Sequence, residues 1–242
     1  MDAEEEEEED ITQETNDVPM EAEPTSTLTH RLVHGADQPF AWAAHLMRVV
    51  SMGLQHSNQF RAEQASKVLR TLSLSQYETA WVHATLGTTF AECQKWSKAV
   101  KHFEKARQLD PLLQEHMDIF STALWQTGNK VALSHLSHEL IEANRKSPFA
   151  WVALGNAFSL QKEHETALKC FQRAVQLDPT YAYAYSLAGH EHLANDDYQK
   201  SLATFRNAIK WNSRLYNAWS ILLLESSGLT RHTHICRNKG MG

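Results

Sequence analysis

A chain of 242 residues is long enough for one or two folded domains. Its three cysteines, Cys93, Cys170 and Cys236, are too far apart for a disulfide framework or a paired CxxC metal motif. No apolar stretch approaches the length of a membrane helix and no basic segment precedes an apolar run at the start, so a soluble, intracellular chain is expected.

The formal charge of −6 conceals an asymmetry: residues 1–27 hold 12 acids and no Lys or Arg, leaving 17 acids against 23 bases in the rest. This head lacks aromatics and has too little apolar surface to offset the entropy of ordering, so residues 1–39 read as a disordered acidic tail and linker. The tail is expected to solubilise the chain, or to fold back on the basic remainder as a decoy for acidic ligands. Gly35 and Pro39 punctuate the linker.

Helical periodicity begins near Phe40 and runs through Trp42, Leu46, Val49, Val50 and Leu54, with a second helix over 62–72. Trp81, Leu86 and Phe90 mark the next helix, and Ala99, Val100, Phe103 and Leu109 its successor. Met117, Ile119, Phe120 and Leu124 lead to Leu133, Leu136 and Leu140. The clearest pair spans 147–181. Ser147 is placed as an N-cap before Pro148 at the first helical position. Trp151, Leu154, Phe158 and Leu160 form one apolar face; Ala167, Leu168, Phe171, Ala174, Val175 and Leu177 form another. Asp178-Pro179 closes the unit, because proline disfavours helix in the residue before it and cannot continue the ladder. Tyr181 to Ile209 repeats the scheme. A last helix, Tyr216 to Leu224, stops at Ser226-Ser227-Gly228.

These pairs recur every 34 residues, the length of a tetratricopeptide repeat. The units are 46–79, 80–113, 114–147, 148–181, 182–215 and a partial 216–225. One slot reads Gly53, Gly87, Gly155 and Gly189, a second Ala65, Ala99, Ala167 and Ser201. A third reads Phe103, Phe171 and Phe205, a fourth Ala106, Ala174 and Ala208, and Pro111 and Pro179 end two units. The unit at 114–147 is degenerate, with Ser121 for the glycine and Ser137 for the aromatic. The fold expected is all-α, a right-handed α-solenoid of helix hairpins over residues 40–225, each covering its neighbour. Residues 226–242 read as a disordered tail in which Gly228 to Gly242 break the register, as expected of a truncated isoform or a gene-model artefact. His232, His234 and Cys236 alternate there without a fourth ligand for a tetrahedral metal site.

Catalytic signatures do not emerge. His190-Glu191-His192 lacks the HExxH spacing that puts two imidazoles one turn apart, and no nucleophile elbow or phosphate-cradling loop occurs. The chain is expected to be neither an enzyme nor a holder of metal or cofactor, and its interleaved charges do not call for nucleic acid. First helices of such hairpins line a common groove for extended peptides. Trp125, Phe149, Val152, Asn156, Ser159, Tyr183, Ser186 and His190 are its candidate lining, and Trp81, Ala84, Thr88, Asp118, Thr122, Asn217 and Ser220 are counted onto the same face. Asn156 is the candidate partner for a ligand backbone amide. Chaperone-binding repeats clamp a carboxylate with lysines, but the matching Ala84, Val152 and Ser186 argue against that partner class.

The segments SPFAWVALGNAFSLQKEHETALKCFQRAVQLDPTYAYAYSLAGHE, FRNAIKWNSRLYNAW and DIFSTALWQTGNKVALSHLSHEL resemble the tetratricopeptide scaffold subunit of the anaphase-promoting complex, the cell division cycle protein 27 type. The resemblance covers roughly residues 45–224. It implies a non-catalytic subunit of a mitotic ubiquitin ligase, nuclear with a cytoplasmic pool. It implies contacts with other repeat and scaffold subunits, and a groove receiving the Ile-Arg tail of activators. The family's amino-terminal repeats, used for homodimerisation, have no counterpart in residues 1–39, so dimerisation is not carried over. The alternative is a generic peptide-binding adaptor or co-chaperone.

Overall fold

The structure, a computed structural model, describes residues 38–226. The acidic head and the segment holding His232, His234 and Cys236 lie outside the described residues. The chain divides into two units after His45, and the opening of helix α1 (Gln38–Asn58) is the described part of the first.

In the second unit, α2 (Ala62–Leu69) and the short α3 (Leu74–Tyr77) precede four hairpins. These pair α4 (Ala80–Glu92) with α5 (Trp96–Leu109), and α6 (Met117–Gln126) with α7 (Lys130–Ala143). They are followed by α8 (Pro148–Leu160) with α9 (His164–Leu177), and α10 (Ala182–Ala194) with α11 (Tyr198–Trp211). A final helix, α12 (Tyr216–Ser226), lies against α11. Among the described residues there is no strand. The second helix expected over 62–72 stops at Leu69, because Ser73 starts α3 with its amide bonded to Gln76 Oε1 at 3.3 Å. Ser147 stands before Pro148 in extended conformation, but its hydroxyl makes no capping bond.

Three of the four hairpins close on the same contact. A Cβ added at Gly87 or Gly189 would lie 2.9 or 2.8 Å from the ring of Phe103 or Phe205, and at Gly155 closer still to Phe171. At Gly53 the same slot meets Leu69 at 2.7 Å. All four opposing side chains are buried, as are Ala65, Ala99 and Ala167 one turn earlier. The degenerate unit changes three slots together. Ser137 gives up the ring, Ser121 fills the space a glycine would leave open, and Leu133 takes the slot of the small alanine. All three are buried, so the volume is redistributed rather than lost. Leu223 occupies the glycine slot of α12 and is exposed.

Two loop motifs carry the same period. Phe60, Gln94, Gly128, Lys162 and Asp196 each hold φ between 58° and 70°, in the left-handed region. The next residue's amide bonds back to the helix five residues earlier, as Glu163 N to Phe158 O at 3.0 Å, which satisfies an otherwise unpaired carbonyl. Only one of the five is a glycine. Between hairpins, Asp110, Asn144, Asp178 and Asn212 each accept, through Oδ1, the amide two residues on, at 2.9–3.0 Å. Trp151 and Trp219 then donate Nε1–H to the carbonyls of Arg145 and Ser213, and Tyr185 its hydroxyl to that of Pro179. Ala106, Ala174 and Ala208 are buried. Cys170 is buried too, and burial pushes its thiol up to about 11, whereas half-buried Cys93 donates to Phe60 O.

Replacing Lys162 by glycine removes the strain of a side chain in the left-handed region. It is expected to raise urea stability by about 1 kcal/mol, with Gly128→Ala losing a similar amount despite open space around it. Gly155→Ala drives a methyl into the Phe171 ring and is expected to cost about 1–3 kcal/mol, against about 3–5 for Phe171→Ala. An unchanged urea midpoint for Gly155→Ala would refute the contact as the closing element.

Candidate functional site

The 34-residue register lines up the first helices slot by slot. One slot reads Ala84, Asp118, Val152 and Ser186, and all four are buried. A carboxylate therefore stands in the degenerate unit where the other units carry small or apolar side chains. Asp118 is 6% exposed, and its Oδ2 accepts a short hydrogen bond from the Tyr181 hydroxyl, which enters from the loop before α10. Burial raises the Asp118 carboxyl above its usual range even though Tyr181 holds the charged form. Burial also raises the Tyr181 phenol, with the Asp118 charge adding to it.

Around this pair the first helices are joined by side-chain hydrogen bonds. Asn156 Nδ2 of α8 donates to Ser121 Oγ (2.8 Å) and Thr122 Oγ1 (3.0 Å) of α6. The Tyr183 hydroxyl of α10 meets Thr122 Oγ1 at 2.7 Å, and burial pushes its phenol up. Trp125 Nε1 donates to Ser159 Oγ at 3.1 Å, and Ser159 donates onward to Glu191 Oε1 at 2.7 Å. His164 Nδ1 lies 2.7 Å from Glu191 Oε2. The bonds thus run unbroken from the third unit to the fifth. Phe149 sets its ring edge-on to Tyr181, centroids 5.5 Å apart.

This geometry redistributes the expected groove lining. Val152 and Ser186, at 0% and 4% exposure, are closed to any ligand. Val152 is buried with Ala167, Phe171 and Ala184 because its slot faces the neighbouring hairpin. The Asn156 amide is spent within the fold, on two hydroxyls, rather than held out to a peptide. Ser159 is buried and engaged on both sides. His190 sets its ring edge-on to Phe205 at 5.1 Å, and burial lowers its basicity, so it belongs to the hairpin interior. What remains partly open is aromatic: Trp125, 37% exposed, with half-buried Phe149 and Tyr183. Tyr181, Ser121, Glu191 and His164 were not legible as site residues. Asp118 carried a signal, as the one charged side chain in its slot.

Proton binding by Asp118 makes a directional test. Its native-state affinity for a proton exceeds that of the unfolded chain, so its contribution is favourable below the unfolded carboxyl pKa and is lost as pH rises through the native one. Asp118→Asn is expected to gain stability relative to the parent at pH 8, and to lose that advantage near pH 4, in paired urea titrations. A difference independent of pH would overturn the assignment.

Comparison with known proteins follows the same register. The tetratricopeptide-repeat profile matches residues 148–181 and again 182–214. Anaphase-promoting complex subunit 3 of Schizosaccharomyces pombe is 45% identical over 174 residues, covering 72% of this chain and 26% of that protein. Protein bimA of Emericella nidulans is 41% identical over 182 residues, 75% of this chain and 23% of its own length. Cell division cycle protein 27 homolog B of Arabidopsis thaliana is 40% identical over 175 residues, 72% and 24% respectively. The chain thus spans about a quarter of the length of these relatives. Among solved structures, MamA from Desulfovibrio magneticus RS-1 aligns with a TM-score of 0.49 at 16% identity, over 71% of this chain and 97% of that one.

Proposed function

We propose that this chain, which belongs with the cell division cycle protein 27 type of anaphase-promoting complex subunits, acts as a non-catalytic scaffold of that ubiquitin ligase. The observation that carries the reading is 45% identity over 174 residues. A tetratricopeptide pattern fixes only a few positions in each 34, so agreement on this scale goes beyond what the fold alone demands.

Its partners on this reading are the other repeat and scaffold subunits of the complex, and its place is the nucleus with a cytoplasmic pool. The finer part of the proposal concerns the open aromatic edge of Trp125, Phe149 and Tyr183. That edge receives an extended partner segment, the Ile-Arg tail of activators among them. It offers partly open ring surface, which suits the apolar side chain of such a segment.

A tagged chain expressed in dividing cells, captured and read by mass spectrometry, is expected to bring down the other subunits of the ligase. Recovery of chaperones without a single ligase subunit would overturn the scaffold reading.

A further inference from the structure

Helices α4 and α5 bring two imidazoles together away from the polar face just described. His83 Nδ1 and His102 Nδ1 are 3.1 Å apart, with ring centroids 5.4 Å apart and planes inclined by 31°. A hydrogen bond between them requires one ring to carry its proton on Nδ1 and the other to accept there. The far side of His83 is the informative one. Its Nε2 is buried without a hydrogen-bond partner, 3.9 Å from Glu78 Oε1. Glu78 is itself tied to Lys105 at 3.1 Å. Tyr77 sets its ring edge against His83, and Phe90 stacks on His102, so both imidazoles are fixed by packing.

We propose that His83 and His102 form a two-imidazole chelate for a divalent transition-metal ion, bound through the two Nδ1 atoms, with Glu78 as the carboxylate behind His83. Metal–nitrogen bonds of about 2.0–2.1 Å across a 3.1 Å gap subtend about 98° at the metal. That angle lies between the square-planar arrangement of Cu²⁺ and the tetrahedral arrangement of Zn²⁺, and a shift of a few tenths of an ångström reaches either. Binding requires both rings in the Nε2–H form, so the ring that donates through Nδ1 changes tautomer. His83 Nε2–H then lies 3.9 Å from Glu78 Oε1, and a small rotation of that carboxylate completes the carboxylate–histidine–metal order that orients such ligands.

The surroundings set the conditions. Burial lowers the basicity of both rings, with His102 down at about 4, so neither needs to shed a proton to bind metal at neutral pH. Lys98, Arg70 and Lys105 place positive charge nearby and limit affinity, and the remaining coordination positions fall to water. His102 is half-buried on α5, which gives an ion a way in.

Two measurements on the full chain test the site. In titration with Cu²⁺ at pH 7, the parent is expected to take up one more equivalent than His102→Gln. The difference species should show electron paramagnetic coupling to two imidazole nitrogens. Equal uptake, or coupling to one nitrogen, overturns the proposal. The second measurement needs no variant: histidine ¹⁵N spectra of the parent with Zn²⁺ are expected to move both rings to the Nε2–H form. An Nδ1–H ring persisting at saturating Zn²⁺ overturns it as well.

Discussion

The second unit depends on how closely the two helices of each hairpin approach, and in three of the four hairpins that approach is made at a glycine covered by a ring. Gly87, Gly155 and Gly189 leave no room for a methyl because Phe103, Phe171 and Phe205 lie flat against them. The ring is buried only when the helices are that close, and the closeness is tolerable only without a Cβ, so each member of the pair is meaningless alone. Once the hairpins close in this way, the remaining slots fall on defined faces and the neighbours can stack. The degenerate unit shows that the constraint is volumetric rather than chemical: Ser121, Ser137 and Leu133 satisfy it with another distribution of the same space.

The architecture was legible because volume constraints leave marks in sequence at fixed spacing. Glycine, alanine and phenylalanine repeat where backbones approach, and the hairpins follow. The interhelix turns left almost no mark. Their left-handed residue is Phe60, Gln94, Lys162 or Asp196 as readily as Gly128, since two backbone hydrogen bonds, not the side chain, impose the conformation. The groove was misjudged for a related reason. Helical counting gives the side of a helix but not how deeply a neighbour covers it, so Val152, Ser186, Asn156 and Ser159 were counted as lining although they are buried. Partners 61 and 63 residues away, Thr122 to Tyr183 and Asp118 to Tyr181, lie beyond any local period.

Stacking between units uses two different kinds of seam. One apolar core runs from Val49 through Phe103 and Leu140 to Ala150, Ala153 and Ala157 at the start of the fourth unit. Between the third and fifth units, hydroxyls, an amide, an indole and two carboxylates are added to the apolar contact. Apolar seams tolerate sliding, because dispersion is nearly indifferent to direction. Hydrogen-bonded seams do not: displacing α8 by one turn would strand Asn156 and Ser159 without partners in a low-dielectric interior. The polar seam therefore holds the relative setting of three successive first helices, and with it the spacing of Trp125, Phe149 and Tyr183 on their open side.

The recurring turn has a consequence for how such an array can diversify. Its five left-handed positions hold an aromatic, an amide, no side chain, a cation and an anion in succession, on a backbone that is the same each time. The scaffold thus carries, once per period, a side chain whose identity the fold does not decide. Change at these points leaves the glycine–ring closures and the seams untouched. Such an edge can acquire new surface chemistry one unit at a time, while the stacked helices beneath it keep their dimensions.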